Sequence, residues 1–389
     1  MEMYDFDNPP VRSGTDSAKW QKYNGRDILP MWVADMDFSS PPAVIDVLHQ
    51  RVAHGVFGYG APGQKLVETI MDYLQRSFQW KIEPQWIIWL PGLVTGLNTV
   101  CRCVGDSGSA VMTTVPVYPP FLSAPRYSDR RLVTSKLHKS SHGWEMDFDD
   151  IEKSIGDRTR LFILCNPHNP TGRVFTRNEL LTLARICLSR NLIICSDEIH
   201  CDLILQPGCR HIPLASLSPE IADNTITLMA PSKTFNIPGL SCSYAVIPDE
   251  TLRRRFKLSM AGIVPHVNVM GIVAAQAAYQ GGQQWLDELK IYLRENRDLT
   301  ENAINRMPGL SLTAGQATYL AWIDASELNV VRPAKWFETA GVGLSDGAEF
   351  GAENFLRLNF GCSRALLTQA LERMAAAVTD HSARENKGG

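Results

Sequence analysis

Lys233 stands in Met229-Ala230-Pro231-Ser232-Lys233-Thr234-Phe235-Asn236, directly after the apolar run Thr225–Met229. A lysine at the exit of a buried strand, among small residues, is poorly placed for a hydrated surface charge. Desolvation there lowers an amine's pKa and lets it act as nucleophile and base. Two polar signals precede it, Asn166-Pro167-His168-Asn169-Pro170-Thr171-Gly172 and Ser196-Asp197-Glu198-Ile199-His200, and each follows its own apolar run. A carboxylate such as Asp197 at the end of a buried strand needs a compensating partner. The protonated ring nitrogen of pyridoxal phosphate (PLP) is one such partner; a helix N-cap or a metal are the others. Pro170 restricts Asn169 to extended backbone, from which its amide can project over the strand end toward that cofactor's 3′ oxygen. Asparagine, aspartate and lysine at three successive strand ends are what a protein needs to hold PLP as a Schiff base.

Further residues fit the same chemistry. Pro91-Gly92-Leu93-Val94-Thr95-Gly96 lies between a strand candidate and a helix expected over 97–104, so its free N–H groups and the positive helix end can receive a phosphate. Thr95 and Ser232 add hydroxyls. Tyr118, in Pro116-Val117-Tyr118-Pro119-Pro120-Phe121, can stack on a pyridine ring or simply pack in the core. Arg357 sits inside the apolar run Phe355-Leu356-Arg357-Leu358-Asn359. An arginine is seldom placed so without an anion, which is either a substrate α-carboxylate or an internal salt-bridge partner.

The elements that must position these groups follow from periodicity. Short apolar runs at 86–90, 110–114, 132–137, 161–165, 192–196, 225–229 and 243–247 alternate with amphipathic stretches such as 178–190. This predicts an α/β fold with a mostly parallel, seven-stranded sheet between helices, whose ligands collect beyond the carboxyl ends of the strands. After Pro248 the pattern changes to long helices at 251–261, 265–280 and 283–306, strands at 319–324 and 355–359, and a helix at 364–378, as in a smaller α+β domain. The expected division is 1–45 as a segment packing with the small domain or a dimer interface, 46–282 as the large domain, and 283–389 as the small C-terminal one. The net charge of −3, with both signs interspersed, favours neither nucleic acid nor an anionic membrane. An acidic start without an apolar h-region argues against a signal peptide. The nine cysteines, mostly in apolar stretches, suit reduced core thiols and a cytoplasmic location. No metal is expected, since paired CxxC spacing is lacking.

With these motifs the chain resembles the fold-type I PLP enzymes, the class I/II aminotransferase superfamily, whose type fold is that of aspartate aminotransferase. It is most similar to the MalY/PatB-type cystathionine β-lyase (C–S lyase) branch. The strings that carry the likeness span nearly the whole chain. They are Trp32–Phe38, Gly55–Tyr59, Pro116–Phe121, Ser196–His200, Ser232–Pro238, Thr318–Trp322 and Arg357–Asn359. The resemblance implies Lys233 as the Schiff-base lysine, Asp197 at the ring nitrogen, Asn169 at the 3′ oxygen and Tyr118 stacking. It also implies Arg357 on the substrate carboxylate, Ala34 and Asp35 bordering the substrate, and Tyr59 reaching the phosphate of a neighbouring subunit in a homodimer. Where many aminotransferases carry tyrosine this chain has His200, as in the lyase branch. Ala230 stands where many relatives have serine, which shifts the phosphate site toward Ser232, Tyr59 and the 92–95 amides. The expected activity is α,β-elimination of L-cystathionine, L-cysteine or S-substituted cysteines. An aminotransferase and a PLP-binding regulatory protein are the alternatives.

Overall fold

The computed structural model describes residues 4–140 and 143–388, with side chains to 383. Its strands are β1 (Leu29–Pro30), β2 (Ile87–Leu90), β3 (Ala110–Val115), β4 (Arg131–Ser140), β5 (Gly143–Met146), β6 (Thr159–Cys165), β7 (Ile193–Asp197) and β8 (Thr225–Met229), then β9 (Ser243–Val246), β10 (Ser311–Leu312), β11 (Leu320–Asp324), β12 (Val342–Gly343), β13 (Ser345–Asp346) and β14 (Phe355–Asn359). Eight form one sheet in the order β2-β9-β8-β7-β6-β3-β4-β5. The pairs from β8 through β4 are parallel, while β9 pairs antiparallel with both β8 and edge strand β2, and edge strand β5 pairs antiparallel with β4. All seven expected strands are in it. The eighth, β5, is a four-residue hairpin arm with only Met146 buried, so it carries no apolar run from which to read it.

Every residue of β8 and of β3 is buried, as a sheet covered on both faces requires. Along β6 the side chains sort by the period of two: Leu161 and Ile163 enter one apolar cluster, Phe162 and Leu164 the other. Each large side chain so buried contributes about 1.5–3 kcal/mol. The helix expected over 97–104 begins four residues earlier, spanning Leu93–Cys103 behind Gly92. No side chain caps it, so its first-turn N–H groups are left for another acceptor. The helix expected from Pro265 starts only at Val269, where the Asn268 side chain accepts from Gly271 N–H (2.8 Å).

A second, antiparallel sheet has the order β10-β11-β14-β13. β1 pairs in parallel with β12, joining the start of the chain to a segment more than 300 residues later. After β1, residues 31–38 run between the two sheets, bonded to Asn236 on one side and Asn359 on the other. Among the described residues no helix is long and apolar enough to cross a membrane.

Candidate active site

Asp197 is the last residue of β7 and is 5% exposed. Its Oδ1 accepts from the Ile199 N–H (3.1 Å), so it does cap a turn, but among the described residues no cation lies within ion-pair distance of it. Burial pushes the carboxyl up to about 7, with neighbouring Glu198 adding to the shift and Lys233 opposing it. Glu198 turns inward instead. It lies 2.7 Å from His211 Nε2 and accepts from Ser196 Oγ (2.8 Å) and Leu214 N–H (3.0 Å). The two adjacent carboxylates thus divide: one is consumed by the core and one faces a cavity.

Lys233 lies in the turn after β8. Its ammonium donates to the Ala34 carbonyl, which also accepts from the Tyr319 hydroxyl (3.0 Å). The next residue fastens the turn: Thr234 Oγ1 donates to Asp202 (2.8 Å), whose other oxygen accepts from Tyr73 (2.6 Å). Burial lowers the Lys233 amine to about 8; Asp35 and Asp197 oppose that shift and Arg357 reinforces it.

Arg357, in the middle of β14, is 4% exposed. Its Nη1 donates to Asn169 Oδ1 (3.0 Å), and its Nη2 donates to the Trp32 carbonyl (2.9 Å) and Ser345 Oγ (3.4 Å). The guanidinium lies 4.7 Å from the Phe350 ring centroid, and Nε has no partner. Among the described residues no carboxylate pairs with it, which removes the internal salt bridge. Burial lowers its pKa to about 10. The Asn169–Pro170 peptide is cis, and the Asn169 carbonyl accepts from Tyr118 N–H (3.1 Å). Its Oδ1 serves Arg357, so the Nδ2 donors are the part of the amide left for a ligand.

These groups line one cavity of about 370 Å3, together with Gly92, Leu93, Val94 and Thr95 at the helix start, Tyr118, His200, Ser232 and Ala34. His200 is buried with Nδ1 unpartnered, and burial lowers it to about 3, so it is a neutral ring at physiological pH. An unpaired carboxylate, uncapped helix N–H groups, a lysine of lowered pKa and a buried guanidinium are the donor set that a pyridine ring with a phosphate arm and an amino-acid substrate call for. Two expected residues are not part of this wall. The Asp35 carboxylate is taken up by Arg12 (2.6 Å), although its charge still acts on Lys233. Tyr59 is fully exposed and lies on a separate apolar hollow with Trp89, Met260 and Val267. Sequence reasoning missed Trp32, Ser345, Glu349 and Phe350, which surround Arg357. None follows an apolar strand at its carboxyl end, so no local signal marks them.

The family model for aminotransferase class I and II matches residues 26–374. The cystathionine β-lyase PatB of Bacillus subtilis (strain 168) is 38% identical over 386 residues, covering 96% of this chain and all of the relative. The crystal structure of OvoB aligns with a TM-score of 0.95 at 47% identity over 97% of this chain and 99% of that one. A PLP-bound C–S lyase from Staphylococcus hominis aligns with a TM-score of 0.91 at 32% identity, over 96% and 98% respectively.

Proposed function

This chain belongs to the aminotransferase class I and II family, and on that premise we propose that it is a PLP-dependent carbon–sulfur β-lyase acting on L-cystathionine, L-cysteine or related S-substituted cysteines. One observation carries the reading. Arg357 is a buried guanidinium without a carboxylate partner among the described residues, opening on the same cavity as Lys233 and Asp197. Such a cation is costly unless an anion arrives, and a substrate α-carboxylate satisfies it with two parallel hydrogen bonds.

In this proposal Asp197 holds the ring nitrogen protonated, the Nδ2 donors of Asn169 face the 3′ oxygen, and Tyr118 covers one face of the ring. Ser232 and the N–H groups of residues 92–95 take the phosphate, and His200 packs as a neutral edge. Bound there, PLP supplies an electron sink for negative charge developing at the substrate Cα. Lys233 would hold the cofactor covalently and, with its amine free, would take the proton from the substrate Cα. A pKa of about 8 leaves part of the amine neutral near physiological pH, as a base requires. Arg357 and Ala34 fix the substrate so that its Cα–H bond points at that amine. Loss of the sulfur substituent from Cβ, which leaves with a proton as the thiol, gives 2-aminoacrylate, and hydrolysis of this product by water gives pyruvate and ammonia.

The same proposal includes a cytoplasmic homodimer in which Tyr59 reaches the phosphate of the partner's site. The exposure of Val56, Phe57 and Tyr59 on one loop supports it. Mixing K233A and Y59A protomers should then restore activity that neither shows alone, and no recovery counts against a shared site. The reaction itself is tested by incubation with cystathionine alone and with an amino acid plus a 2-oxo acid. Thiol and pyruvate without a 2-oxo acid support the lyase; turnover only with the 2-oxo acid replaces it by an aminotransferase.

A further inference from the structure

Once the roles above are assigned, one charged group in the cavity wall is left over. The charged side chains lining it are Asp197, Lys233, Arg357 and Glu349. The first three have work in the proposed reaction. Glu349 is exposed at the rim and makes no hydrogen bond or ion pair among the described residues. Its backbone, in contrast, is fixed. The turn Gly347–Phe350 is capped by Asp346, which accepts from Ala348 N–H (3.0 Å), and the Phe350 carbonyl accepts from Val117 N–H (3.0 Å). A Cβ at Gly347 would stand 2.4 Å from the Phe355 carbonyl oxygen, so the turn is pressed against β14. Glu349 is therefore a free carboxylate on a rigid mount, one residue from the ring that lies 4.7 Å from the Arg357 guanidinium. Its charge is felt at Arg357 without forming an ion pair.

A substrate held at Arg357 by its α-carboxylate and presented to Lys233 shares the cavity with Glu349, the remaining charged side chain that its sulfur substituent can meet. We infer that Glu349 is a specificity residue selecting cysteine conjugates whose sulfur substituent is cationic over those whose substituent is anionic, an inference that rests on the lyase reading. An exposed rim charge acts through a solvent-screened field rather than through a buried bond. Its effect is modest, falls with salt, and enters through KM more than kcat.

The test uses the holoenzyme and three substrates, S-(2-aminoethyl)-L-cysteine, S-carboxymethyl-L-cysteine and uncharged S-ethyl-L-cysteine as reference, read by thiol release at low and high salt. E349Q should lower the kcat/KM ratio of the aminoethyl to the carboxymethyl substrate by about threefold to tenfold, chiefly through KM, and E349K should invert the preference. The wild-type ratio should shrink toward one at high salt. An unchanged ratio in both variants overturns the inference. So does an equal change for all three substrates, which would mean that Glu349 acts only through Arg357. If wild-type enzyme releases thiol from none of them, the lyase reading fails separately. The same compounds are then compared as ligands by spectral titration of the holoenzyme, where an unaltered affinity ratio in E349Q overturns the selectivity.

Discussion

The two sheets deliver charge to one cavity in different ways. The eight-stranded sheet does so from strand exits: Asp197 closes β7, and Lys233 follows β8 by one turn. Each is held by few bonds, and burial displaces the ionisation of each toward neutrality. The four-stranded sheet does so from mid-strand. Arg357 is paired on both sides, opposite Trp322 and Ser345, and three neutral acceptors fix its guanidinium. A group that must gain and lose a proton sits where the backbone can turn and little competes for it. A group that need only present a charge is locked, and its partners are neutral so that the charge stays available.

Removing the lysine at the strand exit should have the largest effect. K233A should abolish turnover and the absorbance of lysine-linked cofactor while circular dichroism stays native; surviving turnover would remove the lysine from the chemistry. R357K tests whether rigid geometry or charge alone matters at the other sheet. An ammonium cannot reproduce the planar fork, so kcat/KM should fall by about a hundredfold, mostly in KM; a change under fivefold would erase the contrast between the sheets.

Asp197 offers a test without catalysis. Its folded pKa of about 7 lies above the unfolded value of about 3.9. The folded chain therefore binds more protons between those values, and this contribution to stability, present below about pH 4, is lost as pH rises through about 7. The melting temperature of cofactor-free protein should fall across that window. D197N should flatten the slope and weaken cofactor retention, and an unaltered slope would place the buried charge elsewhere. The smallest effect belongs to the turn that carries Lys233. T234V removes one bond to Asp202 and should cost about 1–2 kcal/mol in urea unfolding, with kcat reduced less than tenfold. A larger loss of kcat would mean that the lysine is held as rigidly as Arg357.

Much of this was legible in the chain. Four of the seven principal strands, β3, β6, β7 and β8, announce themselves because parallel strands buried on both faces are continuous apolar runs. β5 does not, because its pairing comes from its hairpin neighbour β4 and not from its own burial. The start of the helix at Leu93 was obscured because Gly92 supplies no capping side chain, the same property that leaves its N–H groups free. Asp35 was expected beside the substrate on resemblance alone; its carboxylate pairs with Arg12, which also meets Asp37, itself paired with Lys19, while its charge still reaches Lys233.

By itself the sequence determined which residues stand at the ends of buried strands, and hence that Asn169, Asp197 and Lys233 share one edge of a sheet, because burial and strand exit are local properties of the chain. Only the tertiary structure decided that Arg357 meets Asn169 across 188 residues, that Lys233 meets the Ala34 carbonyl across 199, and that Glu349 has no partner among the described residues. Those meetings depend on how the second sheet and the segment 31–38 pack over the first, and packing is set by the whole core rather than by any run of residues within it.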